Sequence, residues 1–374
     1  MPYYYIIKSK YLDPKFIKDT MGKRKIWEEF NIKKPQKINP DFIHIDQYYS
    51  SDKSLYKYQS KLKSQINQND TEIYKGKFNL IESLKKLNDT KLNKMLLEQH
   101  HINLYLIYKK KESLLKYKPL FLKKKVWIFK FIYGDSGDNI IIIKSYKQLE
   151  DFINSIIDKK FKEWNKIKLL DYKYFRQIKK KNYLIEWLIQ EYINEPLLYE
   201  KKKFHLRGYF LYLNKTNKSK EGYILNNHRI FTSKLKYKNE DYLNKYIHDT
   251  HEKSTSKYIN FKPNLEEKIP IDKFKKIEND IIYLFKSILK ITNNSCFIED
   301  KNCYHLFGSD IMITNKYEIK LIEINRSVGL PSYNAPQKKI NHPYHIFLGI
   351  MENIVDKYFQ HNMNLKKYNN FIKL

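Results

Sequence analysis

Phe307-Gly308-Ser309-Asp310-Ile311-Met312-Ile313, followed closely by Leu321-Ile322-Glu323-Ile324-Asn325, is the stretch on which the fold turns. Both runs are rich in the apolar, β-branched residues that strands favour. Thr314-Asn315-Lys316 between them reads as the turn of a hairpin over Tyr304 to Ile313 and Glu318 to Ile324. Side chains on a strand alternate faces, so Glu323 and Asn325 point the same way, and hairpin pairing can set Asp310 beside them. Two carboxylates and an amide oxygen among apolar residues are costly unless a cation compensates them. Oxygen ligands of this kind suit Mg²⁺ carried together with phosphates. The plain alternative, a solvated face of a half-exposed sheet, fits less well because Leu321, Ile322 and Ile324 are all apolar.

Upstream, Lys203-Phe204-His205-Leu206-Arg207 sits in a strand read over Phe204 to Leu213, and its alternation puts Lys203, His205 and Arg207 on one face. Alone, such a stripe in a lysine-rich chain is better explained as a solvated basic face. Leu184 to Ile193 reads as a further strand that runs into Asn194-Glu195-Pro196. Val126 to Ile132 and Ile140 to Lys144 read as two strands around a turn containing Gly134, Ser136 and Gly137. Glycines there let backbone N–H groups approach a phosphate, with Lys130 as a point charge at the strand end. Gly, Asp and Ser favour ordinary turns as well, and without a following GKS or GKT the plain turn is the better reading of this loop alone.

Helical periods appear over Tyr146 to Ile157, Ile271 to Ile291 and Asn341 to Tyr358. A helical pair broken near Asn88-Asp89 spans Phe78 to Gln99. Tyr223-Ile224 and Arg229 to Phe231 read as shorter strands, Lys234 to Pro263 as loop-dominated, and Ser50 to Asp70 as a loop or a poorly packed helix. Residues 1 to 117 show mixed helical patterns. The interleaving of strands and helices makes this an α/β chain, divided as an N-terminal accessory domain (1–117), a central lobe (118–193), a C-terminal lobe (194–360) and a polar tail (361–374).

At 374 residues, with 42% hydrophobic and 16% aromatic content, the chain can bury a substantial core. No run of about 18 apolar residues exists and the N-terminus lacks signal-peptide flanks, so neither a membrane span nor a leader is expected. Two cysteines, Cys296 and Cys303, argue against a disulfide scaffold and a four-ligand zinc site, and point to a reducing, cytoplasmic setting. The formal charge of +31 attracts polyanions. Its excess is lysine, accompanied by Asn, Ile and Tyr, all with AT-rich codons, so the charge biases the partner towards something acidic without identifying it.

Taken in order, the pieces resemble the tubulin–tyrosine ligase-like family of ATP-grasp ligases. The family's W-I-x-K-P strand, its Q-K-Y-[IL]-x-x-P-L-L segment, K-F-D-[IL]-R strand and [LF]-F-G-x-D…[LI]-[LM]-E-[VI]-N hairpin have counterparts here. These are Trp127-Ile-Phe-Lys130, Gln190-Glu-Tyr-Ile193-Asn-Glu-Pro196-Leu-Leu, Lys203-Phe-His-Leu-Arg207, and Leu306-Phe-Gly-Ser-Asp310 with Ile322-Glu323-Ile-Asn325. The likeness spans Val126 to Leu330, and Asn88-Asp-Thr-Lys91 is a fainter echo of a lysine-bearing helix before the core.

The resemblance implies an ATP-grasp fold of α+β type, with nucleotide held between two mainly antiparallel sheet-and-helix lobes. It implies ATP and Mg²⁺ as cofactors. Lys130, Lys203 and the loop of Gly134, Ser136 and Gly137 would hold phosphates; Gln190, Glu191, Tyr192 and Ile193 would line the adenine; His205 would lie near the ribose. Asp310, Glu323 and Asn325 would bind metal, Arg207 with Lys203 would serve catalysis, and Arg229 and Lys91 would approach substrate. The implied reaction joins a free amino acid to a protein carboxylate, with an acidic acceptor such as a tubulin C-terminal tail, a monomeric enzyme, and no membrane or nucleic-acid partner. In this chain Phe131 replaces the family's proline, Glu191 a lysine and His205 an aspartate, while His248-Asp249-Thr250-His251 stands for H-L-T-N. The alternatives are a catalytically inactive scaffold of the same fold and a basic nucleic-acid-binding protein.

Overall fold

Two sheets form the frame, and one long strand organises the larger of them. The computed structural model describes residues 3–7, 18, 21, 27–29, 41–45, 62–64, 77–122, 125–132, 140–158, 186–215, 219–226, 228–238, 242, 244–248, 250, 259–292, 302–325, 349–359 and 371–374. The strands on the N-terminal side are β1 (Tyr3–Ile7), β2 (Glu28–Glu29), β3 (Phe42–Ile45), β4 (Leu62–Ser64) and β5 (Gln99–Asn103). Next come β6 (Trp127–Phe131), β7 (Ile140–Ile143), β8 (Glu186–Glu191), β9 (Leu198–Tyr199) and β10 (Lys202–Asn214). The last are β11 (Lys220–Leu225), β12 (Arg229–Thr232), β13 (Ile259–Asn260), β14 (Asn302–Ile313), β15 (Ile319–Asn325) and β16 (Phe371–Lys373). The principal helices are α1 (Lys77–Lys85), α2 (Thr90–Met95), α3 (Leu104–Lys109), α4 (Tyr146–Asp158) and α5 (Ile271–Ile291).

The smaller sheet is antiparallel in the order β5-β8-β6-β7. One face buries Ile102, Trp127, Phe129, Trp187 and Ile189 against Leu149 and Ile153 of α4, with Leu104 and Ile107 of α3 in the same core. Phe129 and Trp187 stack with centroids 4.6 Å apart. Register places Gln99, Leu188, Gln190 and Lys130 on the opposite face.

The larger sheet follows β13-β12-β10-β14-β4-β3-β1-β2, with β15 paired to β14 and both β9 and β11 to β10. Its spine is β10 against β14. The even positions Phe204, Leu206, Phe210 and Tyr212 lie in the core under α5, while Tyr209, Leu211 and Leu213 join a second core with Tyr4, Phe42 and Tyr304. Helix α5 meets this sheet through Phe274, Ile277, Ile281, Leu284, Phe285 and Ile288, an i, i+3, i+4, i+7 stripe. Each such side chain, fully buried, contributes about 1.5–3 kcal/mol. The helix begins after Pro270 and stops at Thr292, whose backbone N–H donates to the Ile288 carbonyl and whose hydroxyl does the same at 2.9 Å.

The expected break at Asn88-Asp89 is present. Asn88 takes a φ of 52°, and Asp89 caps α2 by accepting from the Leu92 N–H at 2.9 Å. In two places on the N-terminal side the helical reading fails. β1, β3 and β4 form a parallel ladder that joins β14, and β4 falls within the stretch taken for a loop or helix. Runs of three to five residues are too short for periodicity to separate strand from helix. Gln99, taken for the end of a helix, opens β5, a polar edge strand of the smaller sheet. Both pairings cross the expected boundary at residue 117. Within the expected C-terminal helix, residues 349–359 contain a π-helical turn at Met351–Val355 and an α turn at Asp356–Tyr358, and residues 341–348 lie outside the described set. Cys303 is disulfide-bonded, against the reduced state expected from a count of two cysteines. No described helix is long and apolar enough to cross a membrane.

Candidate active site

The face of β10 that ends as the Tyr209-Leu211-Leu213 core begins as Lys203-His205-Arg207. Arg207 is in register with Arg229 on β12 and with Asp310 on β14, and Asp310 is in register with Glu323 on β15. Directly opposed residues present their side chains to the same face. The result is a row of two arginines followed by two carboxylates across four strands.

Alternation alone would not bring Glu323 there. On β15, Ile319 and Leu321 face the α5 core, so an unbroken strand would send Glu323 the same way. Instead the register steps from Ile311↔Leu321 to Asp310↔Glu323, leaving Ile322 as an extra residue. This β-bulge reverses the phase: Ile324 now enters the core, and Glu323 and Asn325 turn to the charged face.

Asp310 is 0% exposed and heavily bonded. Arg207 Nε donates to Oδ1 at 2.5 Å and Nη2 to Oδ2 at 3.1 Å, a bidentate fork. Asn325 Nδ2 adds a bond to Oδ2 at 3.3 Å, and His205 Nε2 lies 3.5 Å from Oδ1. Burial works against the charge on Arg207, but the Asp310 carboxylate more than offsets it, so the pKa is raised above the ordinary arginine value. Phe231, facing the row from β12, organises its edge. The His205 ring stacks on it at 5.0 Å and 1°, and the Arg207 and Arg229 guanidinium carbons lie 5.5 and 4.6 Å from its centroid. His205 Nδ1 is 2.6 Å from the Thr250 hydroxyl.

Lys203 is 4% exposed, with Nζ 4.1 Å from the centroid of the Tyr192 ring. Burial pushes its pKa down to about 7. No carboxylate among the described residues pairs with this ammonium, and a buried cation is stabilised by an anion brought beside it. On the smaller sheet, Lys130 Nζ donates to Gln190 Oε1 at 2.8 Å, and Gln190 Nε2, also buried, has no hydrogen-bond partner among the described residues. The chain passes between the sheets through residues 192–197. The Tyr192 N–H donates to the Val126 carbonyl at 3.0 Å, and Leu197 N–H to that of Ile313 at 2.8 Å. Tyr192 OH meets His248 Nδ1 at 2.7 Å; Tyr242 stacks on the same histidine, and burial raises the Tyr192 pKa.

The structure therefore brings together Lys203, His205, Arg207, Arg229, Asp310, Glu323 and Asn325 on one sheet and Lys130 with Gln190 on the other. Glu191 is turned aside, its carboxylate 3.2 Å from Lys125 Nζ, and Ile193 is half-buried in the crossing segment. Lys91 faces α5, with Nζ 3.0 Å from Asp280 and 4.5 Å from the Tyr283 ring, rather than the charged row. Gly134, Ser136 and Gly137 lie outside the described residues, as does His251. Phe231 and Thr250 had no role assigned from sequence, although alternation from Arg229 already places Phe231 on the charged face.

The donor set fits a divalent ion that shares its shell with phosphates. It offers two carboxylates and an amide, and no group of three His, Cys, Asp or Glu side chains able to hold a metal occurs among the described residues. Buried lysines on both sheets supply the complementary positive charge.

Two antiparallel-rich sheets bridged by a short crossing segment match an ATP-grasp fold. The C-terminal domain of Pby1 from K. lactis, an ATP-grasp enzyme interacting with the mRNA decapping enzyme Dcp2, superposes with a TM-score of 0.67 at 18% identity, covering 100% of this chain and 98% of that one. Residues 41–355 match the tubulin-tyrosine ligase family, and the chain belongs to that family. A probable tubulin–tyrosine ligase of Schizosaccharomyces pombe is 25% identical over 186 residues, covering 46% of this chain and 43% of the relative. A tubulin polyglutamylase of Mus musculus is 27% identical over 195 residues, covering 45% of this chain and 25% of the relative. The chain thus spans less than half the length of either relative.

Proposed function

We propose that the protein is an ATP-dependent carboxylate–amine ligase that attaches an amino acid to a carboxylate on an acidic protein segment. The observation that carries this reading is the register-matched row of Arg229, Arg207, Asp310 and Glu323, with buried Lys203 on the same strand face. Such a row separates a metal-binding end from an anion-binding end along one line. Lys130 and Lys203 hold the nucleotide phosphates between the sheets, and the segment from Gln190 to Ile193 borders the base. Asp310, Glu323 and Asn325 would hold Mg²⁺, which supplies charge neutralisation on the transferring phosphoryl group.

In this scheme an acceptor carboxylate attacks the γ-phosphorus, ADP leaves, and an amine nitrogen then displaces phosphate from the acyl carbon, forming the amide. The chain supplies orientation and positive charge rather than a nucleophile. Arg207 suits the acyl-phosphate end because its planar fork fixes the direction of an anionic oxygen. His205, held by Thr250 and stacked on Phe231, borders the sugar side of the nucleotide.

The names of both curated relatives refer to tubulin, whose acidic tails would complement a chain of net charge +31. Tyrosination, glutamylation and glycylation all use this chemistry. The deciding experiment is incubation with Mg·ATP, a panel of labelled amino acids and tubulin, comparing wild type with Glu323→Gln. Label in the acceptor and ADP release, both lost in the variant, are expected. Absence of label and of ADP from the wild type would refute the ligase reading.

A further inference from the structure

Two buried amides on neighbouring strands of the smaller sheet are each half-satisfied, and in complementary senses. Gln99 on β5 and Gln190 on β8 are in register, 4% and 1% exposed, on the face that also carries Lys130. The orientation of each amide follows from its partner. Lys130 Nζ can only donate, so the Gln190 atom that receives it at 2.8 Å is the oxygen. The Phe78 carbonyl can only accept, so the Gln99 atom that reaches it at 2.9 Å is the nitrogen. What remains is Gln190 Nε2, a donor, and Gln99 Oε1, an acceptor; both are buried and neither has a hydrogen-bond partner among the described residues. Side chains of directly opposed residues lie about 4.5–5.5 Å apart at Cβ, so the two amides present one donor and one acceptor to the same small volume.

Buried polar groups left unmade cost about 1–3 kcal/mol each, so the pair calls for a ligand of the opposite pattern, an acceptor beside a donor. Adenine offers that pattern on the edge that carries N7, where the ring nitrogen accepts next to the exocyclic amine that donates. On that same edge guanine offers two acceptors, N7 and O6, and O6 would face Gln99 Oε1 with no proton between them. We infer that Gln99 and Gln190 read the base of the nucleotide, accepting a 6-amino purine and rejecting a 6-oxo purine, with Gln99 as the residue that tests the exocyclic group. This rests on the nucleotide-binding reading above and adds a specificity residue on a strand that lies outside the segments aligned with the ligase motifs. The Lys130 contact explains why the pair is poised: a phosphate-binding lysine fixes Gln190, so the charge site and the base site share one side chain.

The test is equilibrium binding, not turnover. Affinities of the magnesium complexes of ATP, inosine triphosphate and an ATP doubly methylated on its exocyclic amine are measured for wild type and Gln99→Met, with inorganic triphosphate as a ligand that lacks a base. Wild type is expected to favour ATP over both analogues by about tenfold to a hundredfold, the range set by leaving one buried polar group unpaired. In Gln99→Met the preference should shrink to about threefold or less, through weaker ATP binding, while triphosphate affinity is unchanged. If wild type does not discriminate, or if the variant keeps the full preference, the pair holds only a water and the inference is overturned while nucleotide binding stands. If wild type binds neither nucleotide nor triphosphate, the nucleotide reading itself falls and takes this inference with it. The wild-type comparison decides the matter even if the variant folds poorly.

Discussion

One face of β10 carries two chemistries in succession. Tyr209, Leu211 and Leu213 pack against Tyr4, Phe42 and Tyr304, whereas Lys203, His205 and Arg207 meet the charges of β12, β14 and β15. The strand fixes only the direction of each side chain; what stands opposite decides whether that position stabilises the fold or costs it. In the apolar half each buried side chain contributes about 1.5–3 kcal/mol. In the charged half Arg207 is held by Asp310, but Lys203 has no carboxylate paired with it among the described residues and depends on a ligand for compensation. The charged half of the strand therefore leaves a buried cation whose charge no described carboxylate offsets.

The sharpest way to break this contrast is Asp310→Ala. It should leave Arg207, 11% exposed at its side chain, without its partner and destabilise the fold by about 3–5 kcal/mol in denaturant titration. Leu211→Ala in the apolar half should cost a similar amount, about 2–5 kcal/mol, but for the different reason that it opens a cavity. A neutral Asp310→Ala would mean that the charged half is not held together by that ion pair.

Lys203→Met tests the opposite sign. Replacing a buried ammonium that has no carboxylate partner among the described residues by an apolar chain of similar length should raise stability, by about 1–4 kcal/mol, while abolishing triphosphate binding. A variant that melts lower than wild type would show that Lys203 is compensated within the protein.

The pH dependence is smaller and follows from the same residue. With its folded pKa near 7 and an ordinary unfolded value, Lys203 binds a proton more readily in the unfolded chain. Between these two values its contribution makes stability rise with pH, by at most about 1.4 kcal/mol per unit, and below about pH 7 that contribution is flat. The measurement is the difference between wild-type and Lys203→Met stability across that window. Triphosphate binding should conversely take up a proton above pH 7, which calorimetry in buffers of different ionisation enthalpy detects. The mildest change is Gly208→Ala, whose added methyl would come within 2.8 Å of Ser309 Oγ and 3.4 Å of Phe285 on the core side of β10. It should cost about 1–3 kcal/mol and leave nucleotide affinity unchanged.

Much of this was legible in the chain itself. The α5 stripe stood out because twenty-one residues carry several helical periods, and the hairpin of β14 and β15 because β-branched runs flank a polar turn. The charged row was legible as residue types on alternating positions. Its geometry was not, since the extra residue at Ile322 shifts the phase and no composition rule marks a bulge. The strands β1, β3 and β4 are too short for periodicity and gain their conformation from pairing with each other and β14. Gln99 was hidden for a related reason: a polar residue on an edge strand resembles a surface position until the partner strand and the Phe78 carbonyl enclose it. Lys91, placed near substrate by its likeness to the family's lysine-bearing helix, pairs with the sequence-distant Asp280 on α5, a contact that local sequence does not show.

The unpaired residue at Ile322 makes β15 a strand with two reading frames. Its first half is phased to the hydrophobic core and its second to the chemistry, and one residue separates the frames. Such a segment depends on the kink rather than on the side chain that forms it. A strand that kept Ile322 but paired it regularly would carry Glu323 and Asn325 under the long helix and expose Ile324, whereas deleting Ile322 would leave Glu323 directly after Leu321 in the observed register and keep the charged face. Among related chains, a gap at this position is therefore compatible with an intact charged row.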